Sequence, residues 1–139
     1  MGLDEAVTPP RLVAGIGFRR ATTTAEIVAL LNRALAEAGL ASEQLSAIAT
    51  AADRAGEPAI REAAAAFGLA PIALDAAALT AVDARVVTRS ARIEASRSVG
   101  SVAEAAALAC AGPGAHLVLP RIASAAATCA LAVSPSGFS

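Results

Sequence analysis

Short apolar runs alternate with longer segments of helical periodicity along the first half of the chain. The runs Leu12–Gly17, Leu45–Thr50 and Pro71–Leu74 have the length of buried strands. Large apolar residues spaced three and four apart predict a helix over about Thr24–Ala38, and Pro58–Phe67 predicts a second that begins with proline. This alternation is typical of a parallel sheet covered by helices.

Residues that commonly begin or end helices flank these predicted elements. Gly39 and Gly68 stand where helix C-termini often place glycine. Asp75 is suited to cap a short third helix that extends to about Val82. We therefore expect three consecutive strand–helix units before the chain changes character.

The arginine-rich segment Ala84–Val99 interrupts this rhythm, and we interpret it as extended and partly exposed. After it, Ser101 and Glu104 have the spacing of a capping box. They predict a helix that begins at about Gly100 and ends near Ala111. The four arginines of the segment provide either a second basic wall for an acidic ligand or an ordinary exposed loop.

Two further apolar runs, Ala115–Leu119 and Ala127–Val133, predict the last strands. The linker Pro120–Ala126 is short for a helical crossover, so we expect these strands to pair antiparallel. The predicted fold is a single α/β domain. It is a three-layer α/β/α sandwich with a mostly parallel sheet of about five or six strands and an antiparallel C-terminal pair. Residues 1–10 and 134–139 are expected to be loose termini.

Composition and charge exclude several classes of function. The net charge of −1 and the 2% aromatic content argue against nucleic-acid binding. No apolar run approaches the roughly 18 residues of a membrane span. The acidic start MGLDEAVTPP does not resemble a signal peptide. Cys110 and Cys129 lack ligand-like spacing and predict buried thiols in a reducing compartment, so we expect a cytoplasmic protein without metal or cofactor.

The segment Arg11–Thr24 carries the candidate anion site. We predict a tight turn, paired arginines and a hydroxyl-rich helix start, formed by Gly15, Gly17, Arg19, Arg20, Thr22, Thr23 and Thr24. Free N–H groups at a helix start, together with guanidiniums, suit a carboxylate or phosphate. A structural turn with solvated arginines is the alternative. A dinucleotide fingerprint fails because Arg20 replaces its third glycine.

Two acids, Asp53 and Glu57, follow the second predicted strand. Because loops after parallel strands gather at one edge of a sheet, both carboxylates are expected to face the arginine turn. They are candidate catalytic bases or partners that orient the arginines. Alternatively, Asp53 is a loop acid and Glu57 a helix N-terminal charge.

Other polar residues are weaker candidates. Gly100 and Ser101 begin a helix that either holds an anion or is simply capped. His116 is the only histidine, and we expect a structural or surface role at the edge opposite the anion site. No Ser–His–Asp or Cys–His order supports triad catalysis.

Four segments together resemble one known family. They are Val13–Arg20 with its strand and Gly-x-Gly turn, Ala47–Thr50 with Glu57 after it, the Val99–Ala106 run VGSVAEAA, and the closing strands with Thr128. In order and spacing they are similar to CobE proteins and to the C-terminal domain of CbiG, over about residues 11–134. Phe18 and Ala21 stand where the family usually has Cys and Gly. Arg121 replaces the usual lysine and keeps its charge.

The resemblance implies an α/β domain with a role in making the corrin ring of cobalamin. It implies a protein that binds or carries a carboxylate-rich tetrapyrrole intermediate, here through Arg19 and Arg20 with Arg121 and Gly100–Ser101 nearby. Full-length CbiG implies an alternative, a precorrin lactone hydrolase. A partner of other pathway enzymes that uses residues 84–97 is a third hypothesis, and a homodimer stays open.

Overall fold

The computed structural model describes residues 12–82 and 101–134, which contain five strands, four helices and one 3₁₀ turn. In chain order these are β1 (Leu12–Phe18), α1 (Thr24–Ala38), the 3₁₀ turn Ser42–Gln44, β2 (Ala47–Ala51), α2 (Pro58–Ala65), β3 (Pro71–Leu74), α3 (Ala76–Ala81), α4 (Val102–Ala111), β4 (His116–Ala123) and β5 (Ala127–Val133). Within these two ranges, no helix is long and apolar enough to cross a membrane.

The five strands form one mixed sheet in the order β3-β2-β1-β5-β4. β1 pairs in parallel with β2, and β2 with β3, whereas β5 pairs antiparallel with both β1 and β4. The predicted antiparallel C-terminal pair is confirmed. The prediction of a mostly parallel sheet is corrected, because the tight β4–β5 hairpin returns the chain between β1 and β4, against the direction of both.

Side chains that alternate along β1 enter two separate buried clusters. Leu12 and Ile16 pack with residues of α1 and α2, and Val13 packs with residues of α3 and α4. The second cluster consists mainly of alanine, so the backbone of α4 can approach the sheet closely. These two clusters support the three-layer arrangement, which stays a prediction.

The structure corrects two predicted turns. Gly15 and Gly17 lie inside β1, and the turn comes later, at Arg20 and Ala21. A side chain at Gly15 would collide with the backbone of α4, so its glycine serves helix packing and not a turn. Pro120 lies within β4 and not in a linker, which the sheet tolerates because β4 is an irregular edge strand.

The capping predictions agree with the structure at α1, α3 and α4. Gly39 ends α1 with a φ of 73°, and the Asp75 side chain accepts the N–H of Ala78. At α4 the Ser101 hydroxyl accepts the N–H of Glu104 at 3.2 Å, which is one of the two hydrogen bonds of the predicted capping box. Several predicted features lie outside the described residues: Gly100, both loose termini except Ser134, and the four arginines Arg85, Arg89, Arg92 and Arg97.

Candidate functional site

A cleft of about 420 Å³ lies at the carboxyl ends of β1 and β2. Its walls are the ends of these two strands, the start of α4 and the β4–β5 hairpin. The polar side chains that line it are Arg19, Thr50, Arg54, Ser101, Arg121, Ser124 and Thr128. The cleft therefore forms where loops after parallel strands gather, which is the usual position of ligand sites in α/β sheets.

Three arginines from distant parts of the sequence line this cleft. Arg19 follows β1, Arg54 follows β2, and Arg121 lies in β4. Among the described residues, no aspartate or glutamate lines it. Because a guanidinium is a permanent cation with donors only, the lining suits a ligand that carries carboxylates or phosphates.

Arg54 lines the cleft, although its sequence context did not mark it as a candidate. Its guanidinium lies 5.8 Å from the centre of the Phe18 ring, and Nη1 lies 3.6 Å from Oε2 of Glu57. Nη1 is buried and has no hydrogen-bond partner among the described residues, although the side chain as a whole is 21% exposed. The signal for it in the sequence is its position in the loop after β2, beside Asp53.

Glu57 lies behind the cleft and not in its lining. Besides Arg54, its Oε2 lies 4.0 Å from Nε of Arg20, whose side chain is 83% exposed. The predicted contact between Glu57 and the arginine turn is therefore present through Arg20. Asp53 is exposed and does not line the cleft, and neither does Arg20.

The side chains of the threonines at the start of α1 form hydrogen bonds with other residues of the protein. Thr22 is buried and donates to the carbonyl oxygen of Ala126, and Thr23 accepts the N–H of Glu26. Thr24 donates to the carboxylate of Glu62 at 3.1 Å. None of them lines the cleft, so the helix start at the cleft is that of α4, where Ser101 and Val102 lie in the wall.

Residues of two other strands support the cleft floor. The Thr50 hydroxyl donates to the carbonyl oxygen of Ile16 at 2.7 Å, and the Thr128 hydroxyl donates to that of Gly17 at 3.3 Å. A Cβ at Gly17 would lie 2.8 Å from this Thr128 oxygen. Gly17 therefore leaves space for a side chain of the neighbouring strand at the cleft.

The β4–β5 hairpin forms one wall of the cleft and is tied to α1. The Glu26 carboxylate accepts from the hydroxyl of Ser124 and from the N–H of Ala126. The guanidinium of Arg33 donates to the carbonyl oxygen of Ala123 at 2.8 Å. Two side chains of one helix thus hold the hairpin from outside the cleft.

These contacts predict that the hairpin becomes less stable in acid. The hydrogen bonds from Ser124 and Ala126 lower the pKa of Glu26 below its usual value. A depressed folded-state pKa adds stability above the unfolded pKa, which is near 4.3 for glutamate, and that stability disappears as pH falls through the folded pKa.

We expect Glu26→Gln to be less stable than the unmodified protein at neutral pH, with a difference that shrinks as pH falls below about 4. Urea unfolding at a series of pH values measures it. Glu43→Gln, at an exposed glutamate on the 3₁₀ turn, is the control. A stability difference for Glu26→Gln that does not change with pH would contradict this expectation.

The remaining candidates lie away from the cleft. His116 is exposed at the first residue of β4, opposite Val133, which in turn pairs with Leu12 at the far end of β1. Burial raises the pKa of the Cys110 thiol to about 11 and that of the Cys129 thiol to about 12. Across residues 12–82 and 101–134, no cluster of His, Cys, Asp and Glu has the geometry to hold a metal ion.

Comparison with known proteins finds relatives along most of the chain. The family described as Cobalamin synthesis G C-terminus matches residues 12–132. A Sinorhizobium sp. protein named Protein CobE is 44% identical over 121 residues, which are 87% of this chain and 79% of the relative.

Two solved structures, both described as proteins of cobalamin biosynthesis, are also similar to this chain. The crystal structure of CobE, a protein from the cobalamin (vitamin B12) biosynthetic pathway, has a TM-score of 0.82 and 35% identity over 88% of this chain and 89% of that chain. Cobalamin biosynthesis protein chiG from Agrobacterium tumefaciens str. C58 has a TM-score of 0.71 and 35% identity, over 90% of this chain and 99% of that chain.

Proposed function

Because the chain belongs to the Cobalamin synthesis G C-terminus family and is a protein of cobalamin biosynthesis, we propose that its cleft binds a carboxylate-rich tetrapyrrole intermediate of that pathway. The intermediates of corrin-ring synthesis carry many carboxylates around a macrocycle. A site that recognises them needs several fixed cations on one rim, and this cleft has Arg19, Arg54 and Arg121.

The observation that carries the proposal is the convergence of Arg19, Arg54 and Arg121 on a cleft whose described lining contains no acidic side chain. A ligand carboxylate at the cleft would accept hydrogen bonds from these guanidiniums, which have donors only. The buried Nη1 of Arg54 has no hydrogen-bond partner among the described residues and is held by Glu57 instead. Glu57 stays 3.6 Å from Nη1, which is beyond a good hydrogen bond but close enough to hold the guanidinium in place.

The size of the cleft decides which part of the ligand enters. About 420 Å³ lies within the range of small-molecule sites, roughly 300–1,000 Å³. This volume suits one carboxylate-bearing edge of a macrocycle, while the rest of the ring lies over the opening. Recognition therefore depends on the side chains of the ligand and not on its ring.

The lactone hydrolase alternative has less support. Neither Asp53 nor Glu57 lines the cleft, and Glu57 already faces Arg20 and Arg54. A general base must come within hydrogen-bond reach of the water it activates. The partner hypothesis involves residues 84–97, which lie outside the described residues. A cytoplasmic location and a homodimer stay predictions.

Titration calorimetry with hydrogenobyrinic acid tests the binding proposal. We expect the unmodified protein to bind, and the double variant Arg19→Ala/Arg121→Ala to lose at least about 100-fold in affinity, since each of two charged hydrogen bonds contributes about 1.5–3 kcal/mol. Binding should also weaken as salt concentration rises.

The exposed Arg61 on α2 supplies the matched control, because Arg61→Ala removes the same charge away from the cleft. A fully methyl-esterified derivative of the same ring, which carries no carboxylates, should bind poorly to every variant. No binding by the unmodified protein, or equal binding by the double variant, would contradict the proposal.

A further inference from the structure

The first turn of α4 buries a carboxylate, Glu104, which is 0% exposed. Every other buried residue of this helix is apolar: Ala103, Ala105, Ala106, Ala107, Leu108 and Ala111. Burial of an acid costs several kcal/mol unless hydrogen bonds and nearby positive charge offset it. An acid at this position therefore calls for a role that an alanine would not fill.

Glu104 reaches across to the strand that carries one of the cleft arginines. Its Oε2 accepts the backbone N–H of Arg121 at 2.9 Å. This N–H belongs to an irregular part of β4, where the register passes from Leu119↔Leu131 to Ile122↔Cys129. From Leu119 to Ile122 the chain advances three residues along β4, whereas the paired stretch of β5 advances only two. β4 therefore contains one extra residue here, which is a β-bulge.

Such a bulge redirects side chains, because one extra residue changes the face to which the next residue points. Leu119 and Ile122 are three residues apart and still pack against the same cluster beneath α1, and Arg121 between them lines the cleft. Pro120 has no N–H to donate at this point. The hydrogen bond between the Arg121 N–H and Glu104 therefore connects the bulge to α4. It does so at the residue whose side chain lines the cleft.

We propose that Glu104 is a positioning residue that holds the β4 bulge so that Arg121 faces the ligand. The expected effect of Glu104 on ligand affinity rests on the proposed function. Glu104 itself does not line the cleft, so it acts through Arg121. The positive end of the α4 dipole favours a negative charge at this first-turn position, and a charged acceptor holds an N–H more strongly than a neutral one.

The first test uses the ligand-free protein. NMR of ¹⁵N-labelled protein follows the Arg121 amide in the unmodified chain, in Glu104→Ala and in Glu104→Gln. In Glu104→Ala we expect hydrogen exchange of this amide to rise at least about 10-fold relative to the Cys129 amide, because its acceptor is gone.

Glu104→Gln keeps the shape of the side chain and one carbonyl acceptor, so this variant replaces Glu104→Ala in the experiment if the alanine variant fails to fold. Its Arg121 amide proton signal should move upfield more than that of any other described β4 residue. An Arg121 amide that neither exchanges faster nor shifts would overturn the inference, whatever the ligand result.

The second test is a double-mutant cycle with hydrogenobyrinic acid. Glu104→Gln should weaken binding about 10-fold in the unmodified background and leave it unchanged in an Arg121→Ala background. Equal losses in both backgrounds would assign Glu104 a purely structural role and leave the proposed function intact. If the unmodified protein does not bind, the proposed function fails, and the Arg121 amide signal alone decides the inference.

Discussion

Replacement of Gly15 by alanine is expected to lower the free energy of unfolding by about 3 kcal/mol or more, because overpacking a tight contact forces the backbone to move. A Cβ at Gly15 would lie 2.0 Å from the carbonyl oxygen of Ala103 and 2.6 Å from the backbone nitrogen of Ala107. Both atoms belong to the α4 backbone, so no flexible side chain can move aside. The helix would have to move away from β1.

That movement would reach the cleft as well. α4 contributes Ser101 and Val102 to the cleft wall, and its first turn carries Glu104, which binds the Arg121 amide. If Gly15→Ala still folds, the variant should therefore also bind hydrogenobyrinic acid more weakly than the unmodified protein. Urea unfolding gives the stability, and calorimetry of the folded fraction gives the affinity.

Gly56→Ala is the matched control for this experiment. A Cβ at Gly56 meets nothing within 4 Å, and its backbone is not left-handed. We expect its stability to stay within about 0.5 kcal/mol of the unmodified protein. Equal stability of Gly15→Ala and Gly56→Ala would mean that α4 does not pack against β1 as closely as the structure shows.

Removal of the Arg54 side chain is expected to have the largest effect on binding of any single substitution. Arg54→Ala should weaken binding of hydrogenobyrinic acid about 10- to 100-fold, the equivalent of one charged hydrogen bond. Arg54→Lys should recover only part of this affinity, because an ammonium group neither donates in a planar fork nor stacks as well on Phe18.

The position of Arg54 is the reason for this ranking. Phe18 and Glu57 hold its guanidinium, so little side-chain entropy is lost when a carboxylate binds. The ring of Phe18 lies against the guanidinium and supports it. Arg61→Ala again supplies the control, and an Arg54→Ala affinity equal to that of Arg61→Ala would remove Arg54 from the site.

Much of the secondary structure was predictable because its signals are local. α1 spans Thr24–Ala38 as its apolar stripe and Gly39 predicted, and β3 and β5 have their predicted bounds. Asp75 and Ser101 cap the helices that they were expected to cap. The resemblance to CobE and the CbiG C-terminal domain is confirmed by the family match over residues 12–132.

The candidate site was only partly predictable. Gly17, Arg19, Ser101 and Arg121 were expected near one another, and all four line the cleft. The remaining predicted binding residues with described positions do not line it: Gly15, Arg20, Thr22, Thr23 and Thr24. Each of them contacts other groups of the protein, and the local sequence does not distinguish such contacts from ligand binding.

Local patterns were sufficient to locate the helices, to give the bounds of β3 and β5 and to indicate the family, because capping, periodicity and motif order act over a few neighbouring residues. The cleft depended on contacts between distant segments. Only the return of β5 beside β1 brings Arg121 toward Arg19 and Arg54, and only the close approach of α4 places Ser101 there. Strand order and helix packing result from burial across the whole chain, so the convergence of these charges became visible in the tertiary structure alone.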